Sequence, residues 1–422
     1  MQTVWNKITM IFKDKTLRSR VLFVLGMLIV FRLLASIPIP GVDAVALERV
    51  ISSNQFLGAL NLLSGGGLSH LSIVMLGVGP YITGSIIMQL LTIMVPRLKE
   101  MYSEDGDIGR KKFTQYGRII TIPLAIVQGL SLIALLSRQG VIGTLTPFAM
   151  IVNIAVVVGG SMLLMWIGEL ISEFGIGNGV SLIIFAGIVA TIPTNISQFL
   201  FTFDWANLPV YILFLAMGLL IIAGVVTISE AERPIPVTYA KQLHGNNSSG
   251  GLSTYLPLRV NQAGVIPIIF ALSILMFPQL IGNLLSTSTG VLLSISHGLI
   301  WFSQTTWLYA AFYFVFVFMF TYFYTAITFD PQKLADNLQK GGAFIPGIRP
   351  GVATREYISM VLNRITLVGA IFLGIIAVLP LVMKAITGIT SFSIGGTALL
   401  IVVSVVLDLI KKMEAQLSMR EY

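Results

Sequence analysis

Ten apolar stretches, each 17 to 23 residues long and almost free of charge, divide this sequence: Val21–Ile37, Ile73–Val95, Ile119–Leu136, Phe148–Ile167, Val180–Ile196, Leu208–Ile228, Gly264–Ile281, Trp307–Ile327, Ile365–Met383 and Ser393–Leu409. A helix rises 1.5 Å per residue, so roughly 20 apolar residues cross a hydrocarbon core of about 30 Å. The chain has 422 residues, 55% hydrophobic and 10% charged, with a mean hydropathy of +0.90. It therefore reads as an integral membrane protein built of helices. No Arg-rich transit peptide or small-residue cleavage site precedes Val21–Ile37, which reads as a retained span. There is no cysteine, so neither a disulfide nor a thiolate metal site enters the argument.

Charge orients the spans. Of the 26 Lys and Arg residues, 22 fall on one set of alternate connections. They include Lys7 to Arg20, Arg97 to Arg118, Arg233 to Arg259, Lys333 to Arg364, and Lys411 to Arg420. The other side holds Arg49, Arg138 and Lys384, and Arg32 lies inside the first span. Positive charge stays inside, so both termini and the long basic loops are expected in the cytoplasm. A change of one span would scramble that division.

Ten spans divide into five and five, and an odd number per half makes the second half start on the opposite side. Gly77-Val78-Gly79-Pro80-Tyr81-Ile82 opens the second span and Gly264-Val265-Ile266-Pro267-Ile268-Ile269 the seventh, the same place in each half. The shared G-V-x-P-x-I is short enough to arise by chance. Interrupted segments at matching positions nevertheless point to a transport pathway.

No catalytic constellation accompanies it. His70, His244 and His297 stand without neighbouring ligands at metal spacing, and neither a nucleophile elbow, a zinc-protease helix nor a Walker A loop is present. Gly175-Ile176-Gly177-Asn178-Gly179 joins two membrane spans rather than a strand and a helix, so it reads as a tight turn and not a dinucleotide loop. A secondary transporter buries ionisable groups at mid-membrane, and these spans have almost none. Asp408 and Glu169 lie near helix ends, and Arg32 fits a snorkelling or helix-packing charge.

Between the first two spans, Phe56-Leu57-Gly58-Ala59-Leu60-Asn61-Leu62-Leu63 is apolar but too short to cross, and Gly65, Gly66 and Gly67 follow it. Either a re-entrant piece on a loose glycine tether or an ordinary interfacial loop fits. Val78 and Ile82, and again Val180 and Ile184, stand four apart on one helical face. Such spacing occurs in nearly every membrane helix and selects no role.

The linear motifs select one. IPIPGVD (37–43), LSGGGLS (63–69), PYITGSIIMQLL (80–91), GIGNGVSLIIFAGI (175–188), YAK (239–241), LPLRVNQAGVIP (256–267), ADNLQKGGAFIPGIRPG (335–351) and GGTALLIVV (395–403) occur in order. From about residue 15 to its C-terminus the chain resembles the SecY family, the channel subunit of the bacterial protein translocase.

The resemblance implies an all-α integral membrane protein with ten transmembrane helices in two inverted five-helix halves, a clamshell with an hourglass pore and a short plug helix. The halves would span 21–198, with the plug at 56–70, and 207–410, with cytoplasmic loops at 230–262 and 329–364; residues 1–20 and 411–422 would be cytoplasmic ends. The pore ring falls on Val78, Ile82, Val180, Ile184, Ile269 and Ile401, with Val78 and Val180 where Ile is common in the family. The plug residues are Phe56, Leu60, Leu63, Gly65, Gly66 and Gly67. The lateral gate falls on Gly79, Pro80, Gln89 and Pro267, the glycine and prolines loosening the backbone there; Gln89 fits equally a simple interhelical hydrogen bond.

The resemblance also assigns docking of the SecA ATPase and of ribosomal RNA to Arg233, Lys241, Arg259, Lys340 and Arg349, although these charges also serve topology. Glu232-Arg233-Pro234-Ile235-Pro236 and Gln242 depart from the more basic pattern of relatives. A SecE-type subunit, a SecG-type subunit, signal-bearing polypeptides and lipid complete the implied partners, in a bacterial plasma membrane. No enzyme activity, cofactor or metal is implied. The competing readings are a secondary solute or ion transporter with inverted repeats and an intramembrane enzyme.

Overall fold

The computed structural model describes residues 14–39, 47, 55–103, 106–143, 146–201, 203–205, 208–239, 243–244, 247–248, 253–286, 289–387 and 391–418. Each of the ten apolar stretches overlaps a helix, though the stretch from Ile73 enters its helix only at Gly79. Helix α1 (Lys15–Ala35) starts at Asp14, whose carboxylate accepts from the backbone N–H of Thr16 and Leu17. A short helix α2 (Gln55–Leu63) and a 3-10 turn (Gly67–His70) precede α3 (Gly79–Met94) and α4 (Pro96–Ser103). Then come α5 (Gly106–Arg138), α6 (Pro147–Phe174), α7 (Gly179–Phe201) and α8 (Leu208–Glu230). The remaining helices are α9 (Ile266–Leu285), α10 (Val291–Gln304), α11 (Thr306–Thr328), α12 (Pro331–Lys340), α13 (Val352–Thr387) and α14 (Ser391–Ser418).

Among the described residues six helical segments are long and apolar enough to cross a membrane, and seven if α3 and α4 count together. Those two are bent by 115°. Pro96 is the cause: the residue before a proline is driven to extended backbone, and Val95 stands at φ −118°, ψ 103°. Helix α1 is less apolar because Arg18, Arg20 and Arg32 lie on it.

Two expected boundaries move. The second span was expected to be helical from Ile73, yet residues 71–78 form turns and α3 begins only at Gly79. Leu71, Val74 and Met75 are fully buried there, so this irregular backbone is covered by protein rather than by lipid. The outer connection expected between Ile281 and Trp307 contains α10.

The halves meet along two seams. Helix α9 packs on α3 and α5, and α14 packs on α7. Helix α2 touches α7, α9 and α14, and so bridges both halves. One apolar core runs through all of these elements. Gly175 to Asn178 turn the chain between α6 and α7, as the glycine spacing indicates.

The long basic loops fold together. Strand β1 (Glu232–Tyr239) pairs antiparallel with β4 (Ser253–Arg259) and with β5 (Ala343–Phe344) from the other loop, giving the order β4-β1-β5; β2 (Leu243–His244) and β3 (Asn247–Ser248) form a separate small pair. Pro234 and Pro236 are tolerated in β1 because β5 covers only Thr238 and Tyr239, so both sit where one edge is free. Ile235, Val237, Leu258, Ala343, Ile345, Ile358 and Val361 make a second apolar core beneath the sheet. Replacing Ile235 by Ala should cost about 2–5 kcal/mol in this small core. The expected readout is faster limited proteolysis at 230–262 and 329–364 with the membrane helices left intact.

Candidate pore, plug and gate

The six aliphatic residues assigned to a ring come from helices of both halves. Val78 caps the N-terminus of α3 and Ile82 follows one turn later. Val180 and Ile184 occupy the first turns of α7, Ile269 the first turn of α9, and Ile401 lies within α14. Val78, Ile184 and Ile401 are 0% exposed, Ile82 and Ile269 5% and 4%, and Val180 is half-buried. The buried five share one core with the leucines of α2, and Val180 packs against it.

A cavity of about 210 Å³ borders Ile82, Val180 and Ile269 and continues among Tyr81, Ser85, Gln89, Glu169, Ser172 and Asn178. Beside it Arg118 holds Glu169 through paired contacts of 2.9 and 2.8 Å. A narrow aliphatic floor under a polar cavity can pass a chain of any composition without binding one side chain strongly, and resists ions by dewetting. Among the described residues no three His, Asp or Glu side chains gather as a metal site.

On α2, Leu57, Leu60 and Leu63 repeat at three-residue spacing and are buried, as are Leu68 and Leu71 beyond it. Phe56 lies in the same helix, its side chain outside the described residues. Gly65 and Gly66 take φ values of 64° and 82°, which favour glycine. A Cβ on Gly187 of α7 would stand 2.0 Å from the Gly65 Cα, and one on Gly77 2.1 Å from the Ser64 Cα. The glycine tract is therefore a tight seat, not the loose tether expected from composition.

Side chains lock that seat: Asn61 Oδ1 accepts from the Ser69 N–H and hydroxyl at 3.1 and 3.0 Å. Ser64 Oγ accepts from the Leu68 N–H at 3.2 Å, and the Ser72 hydroxyl donates to Gly67 O at 2.9 Å. Arg32 does not snorkel entirely: its Nη1 is buried, 3.6 Å from where a Gly66 Cβ would be.

The expected gate residues behave differently from expectation. Pro80 and Pro267 occupy the first turns of α3 and α9, where the N–H groups have no helical acceptor. They start these helices without loosening them. Gln89 Nε2 donates to Ser85 Oγ at 3.3 Å on its own helix, not across a seam.

Residues that sequence reasoning passed over make the crossing contacts. The Ser131 hydroxyl of α5 donates to Leu280 O of α9 at 3.0 Å, and Arg138 Nη1 donates to Ser286 Oγ beyond the end of α9. Thr83, Gln128 and Ser273, all buried, line with Leu60, Leu63 and Met276 a void of only about 10 Å³, near the limit for one water. The available signal was the interruption of apolar runs by Gln128, Ser131 and Ser273.

At the other end the assigned basic residues sit on the folded loops. Arg233 is exposed on β1, Lys340 ends α12, and exposed Arg349 lies before α13, its carbonyl accepting from the Thr354 hydroxyl at 2.9 Å. Arg259 is paired with Glu232 at 3.2 Å. Lys241 lies outside the described residues.

Comparison with known proteins gives these positions a context. The SecY family model matches residues 72–410. The protein translocase subunit SecY of Mycobacterium tuberculosis (strain ATCC 25618 / H37Rv) is 43% identical, covering 96% of each chain. That of Streptomyces coelicolor is also 43% identical, covering 97% of each. In fold, a solved protein-conducting channel superposes with a TM-score of 0.64 at 20% identity, over 93% of this chain and 91% of that one. A SecY channel studied for its plug domain gives 0.65 at 21% identity with the same coverage. Sec61 in a canine ribosome-channel complex gives 0.59 at 18% identity, over 93% and 91%.

Gly187→Ala tests the seat. Its methyl cannot coexist with the Gly65 backbone, so the variant in liposomes should leak ions while idle; Gly218→Ala on α8, where a Cβ meets nothing within 4 Å, should stay as tight as the parent.

Proposed function

The chain belongs to the SecY family of protein translocase subunits, and we propose from its geometry how it conducts polypeptide. It is a multi-pass membrane channel and not an enzyme. Unfolded secretory chains pass through the constriction formed by Val78, Ile82, Val180, Ile184, Ile269 and Ile401, and transmembrane segments leave sideways into lipid. The observation that carries this reading is the position of α2, packed on α7, α9 and α14 with its leucines in the same apolar core as five of the aliphatic residues. That arrangement is a stopper in the closed state.

The ten helices form two inverted five-helix halves, 21–198 and 207–410, with the plug at 56–70. Opening requires Leu57, Leu60 and Leu63 to leave their seat, at about 1.5–3 kcal/mol for each leucine brought to water. Lateral opening separates α3 and α5 from α9 and α11, which breaks the Ser131–Leu280 and Arg138–Ser286 contacts. ATP hydrolysis by a SecA motor, translation or the proton-motive force drives movement, a division of labour that fits a sequence without a Walker A loop.

The folded basic loops serve as the docking face for SecA and for ribosomal RNA through Arg233, Lys241, Lys340 and Arg349; Arg259 contributes less because Glu232 neutralises it. The structurally similar Sec61 occurs in a ribosome-channel complex, which makes a ribosome a fitting partner for this face. A SecE-type subunit braces the halves from outside, and a SecG-type subunit joins them. The protein works in a bacterial plasma membrane with both termini cytoplasmic, as its basic loops indicate.

A photo-crosslinking residue at Ile184 should label a stalled signal-bearing chain, and the label should vanish when the signal is crippled. Engaged chains that never label Ile184 would remove it from the path. Arg349→Ala should weaken ribosome binding and flatten its salt dependence, measured by co-sedimentation at several ionic strengths; an unchanged salt slope would place the docking elsewhere.

A further inference from the structure

Helix α10 distributes its residues in an order that water alone does not explain. At 100° per residue, Ser296 and Ser303 share one sector, His297 and Gln304 a second, and Val291, Ser294, Ile295, Gly298, Trp301 and Phe302 a third. The serine sector is the buried one, and the Ser296 hydroxyl donates to Gly282 O of α9 at 2.7 Å. In the third sector Val291, Ile295 and Trp301 are exposed, at 75%, 47% and 62%, while Phe302 turns back onto the core and meets the Phe312 ring at 5.2 Å.

Three further observations say what covers that sector. The helix has 14 residues, about 21 Å, and is too short to cross a core of about 30 Å. It carries no Asp, Glu, Lys or Arg, so it offers no charge pattern to a protein partner. Its outward sector runs on into the exposed face of α11, through Trp307, Phe312, Val315 and Met319, a face that the membrane reading gives to lipid. Tryptophan at such a junction is characteristic of the boundary between headgroups and acyl chains.

We infer that α10 is an interfacial helix whose Val291, Ile295 and Trp301 sector is seated in the outer leaflet, with His297 and Gln304 facing water. The inference rests on the channel reading for the side of the membrane. It also gives α10 a task. The end of α9 is bonded to α5 through Leu280 and Ser286 and to α10 through Gly282, where an added Cβ would come within 2.9 Å of Ile300. Lipid seating of α10 therefore braces the outer end of a gate helix from the side opposite its partner half.

The purified channel complex in liposomes tests this. Trp5, Trp166, Trp205 and Trp307 are replaced by Phe, leaving Trp301 as the sole reporter. Lipids brominated near the headgroup end of the acyl chain should remove most of its emission, and aqueous iodide little. Dominant quenching by iodide, or by neither agent, would overturn the inference, the second outcome meaning a protein cover. Because the chain lacks cysteine, I295C and H297C provide an independent measure. A membrane-impermeant maleimide added outside should label the second and spare the first until detergent is added, and equal labelling would contradict the seating. Translocation of a secretory chain by the same preparations is followed in parallel, so a failure of the channel reading shows there and leaves the quenching result separate.

Discussion

Gly187 lies so close to the Gly65 backbone that a Cβ on it would stand 2.0 Å from the Gly65 Cα, and a Cβ on Gly65 would stand 2.7 Å from the Phe31 ring, so the packing of α2 rests on two positions without side chains. The seat brings α2 down among α7, α9 and α14, which lets Leu57, Leu60 and Leu63 bury themselves between the two halves. Val78, Ile82 and Ile184 of one half and Ile269 and Ile401 of the other share that apolar core. Close backbone approach gives shape without charge, and a pore that must release every side chain it meets needs that kind of closure.

The rest of the molecule divides between parts that hold and parts that separate. Helices α5 and α13, with 33 and 36 residues, are about 50 Å long and extend beyond a bilayer of about 30 Å of hydrocarbon. Through α13 the membrane bundle continues directly into the basic sheet and its own core, so the two parts are joined by one continuous helix. The seam between α5 and α9 is held by few polar contacts, one of them at exposed Arg138. A hydrogen bond contributes a net of only about 0.5–1.5 kcal/mol. Such a seam would be the weakest place for the lateral opening proposed above.

Much of this was legible in the sequence. Uniform apolar runs required helices, and the motifs pointed to the SecY family, whose model matches residues 72–410. What escaped had a common physical cause. Val74 and Met75 look like the start of a span, and whether an apolar residue meets lipid or protein does not show in its identity. The apolar content of α10 merges with a loop because it is shorter than a span. Strand pairing of Tyr239 with Ala343 joins loops that are far apart in the chain, and the meeting of Gly65 with Gly187 is equally remote. The prolines misled for a local reason: position in the first helical turn, not presence, decides whether a hydrogen bond is lost.

The most direct test of the plug as the closing element uses Leu60→Cys with Met276→Cys, two positions that line one void between α2 and α9 in a chain without native cysteine. With the disulfide formed and verified by mass, translocation of a secretory chain should stop while the idle channel stays ion-tight, and reduction should restore transport. Undiminished translocation through the fully oxidised channel would show that chains pass without displacing the plug, and the closure described here would be wrong.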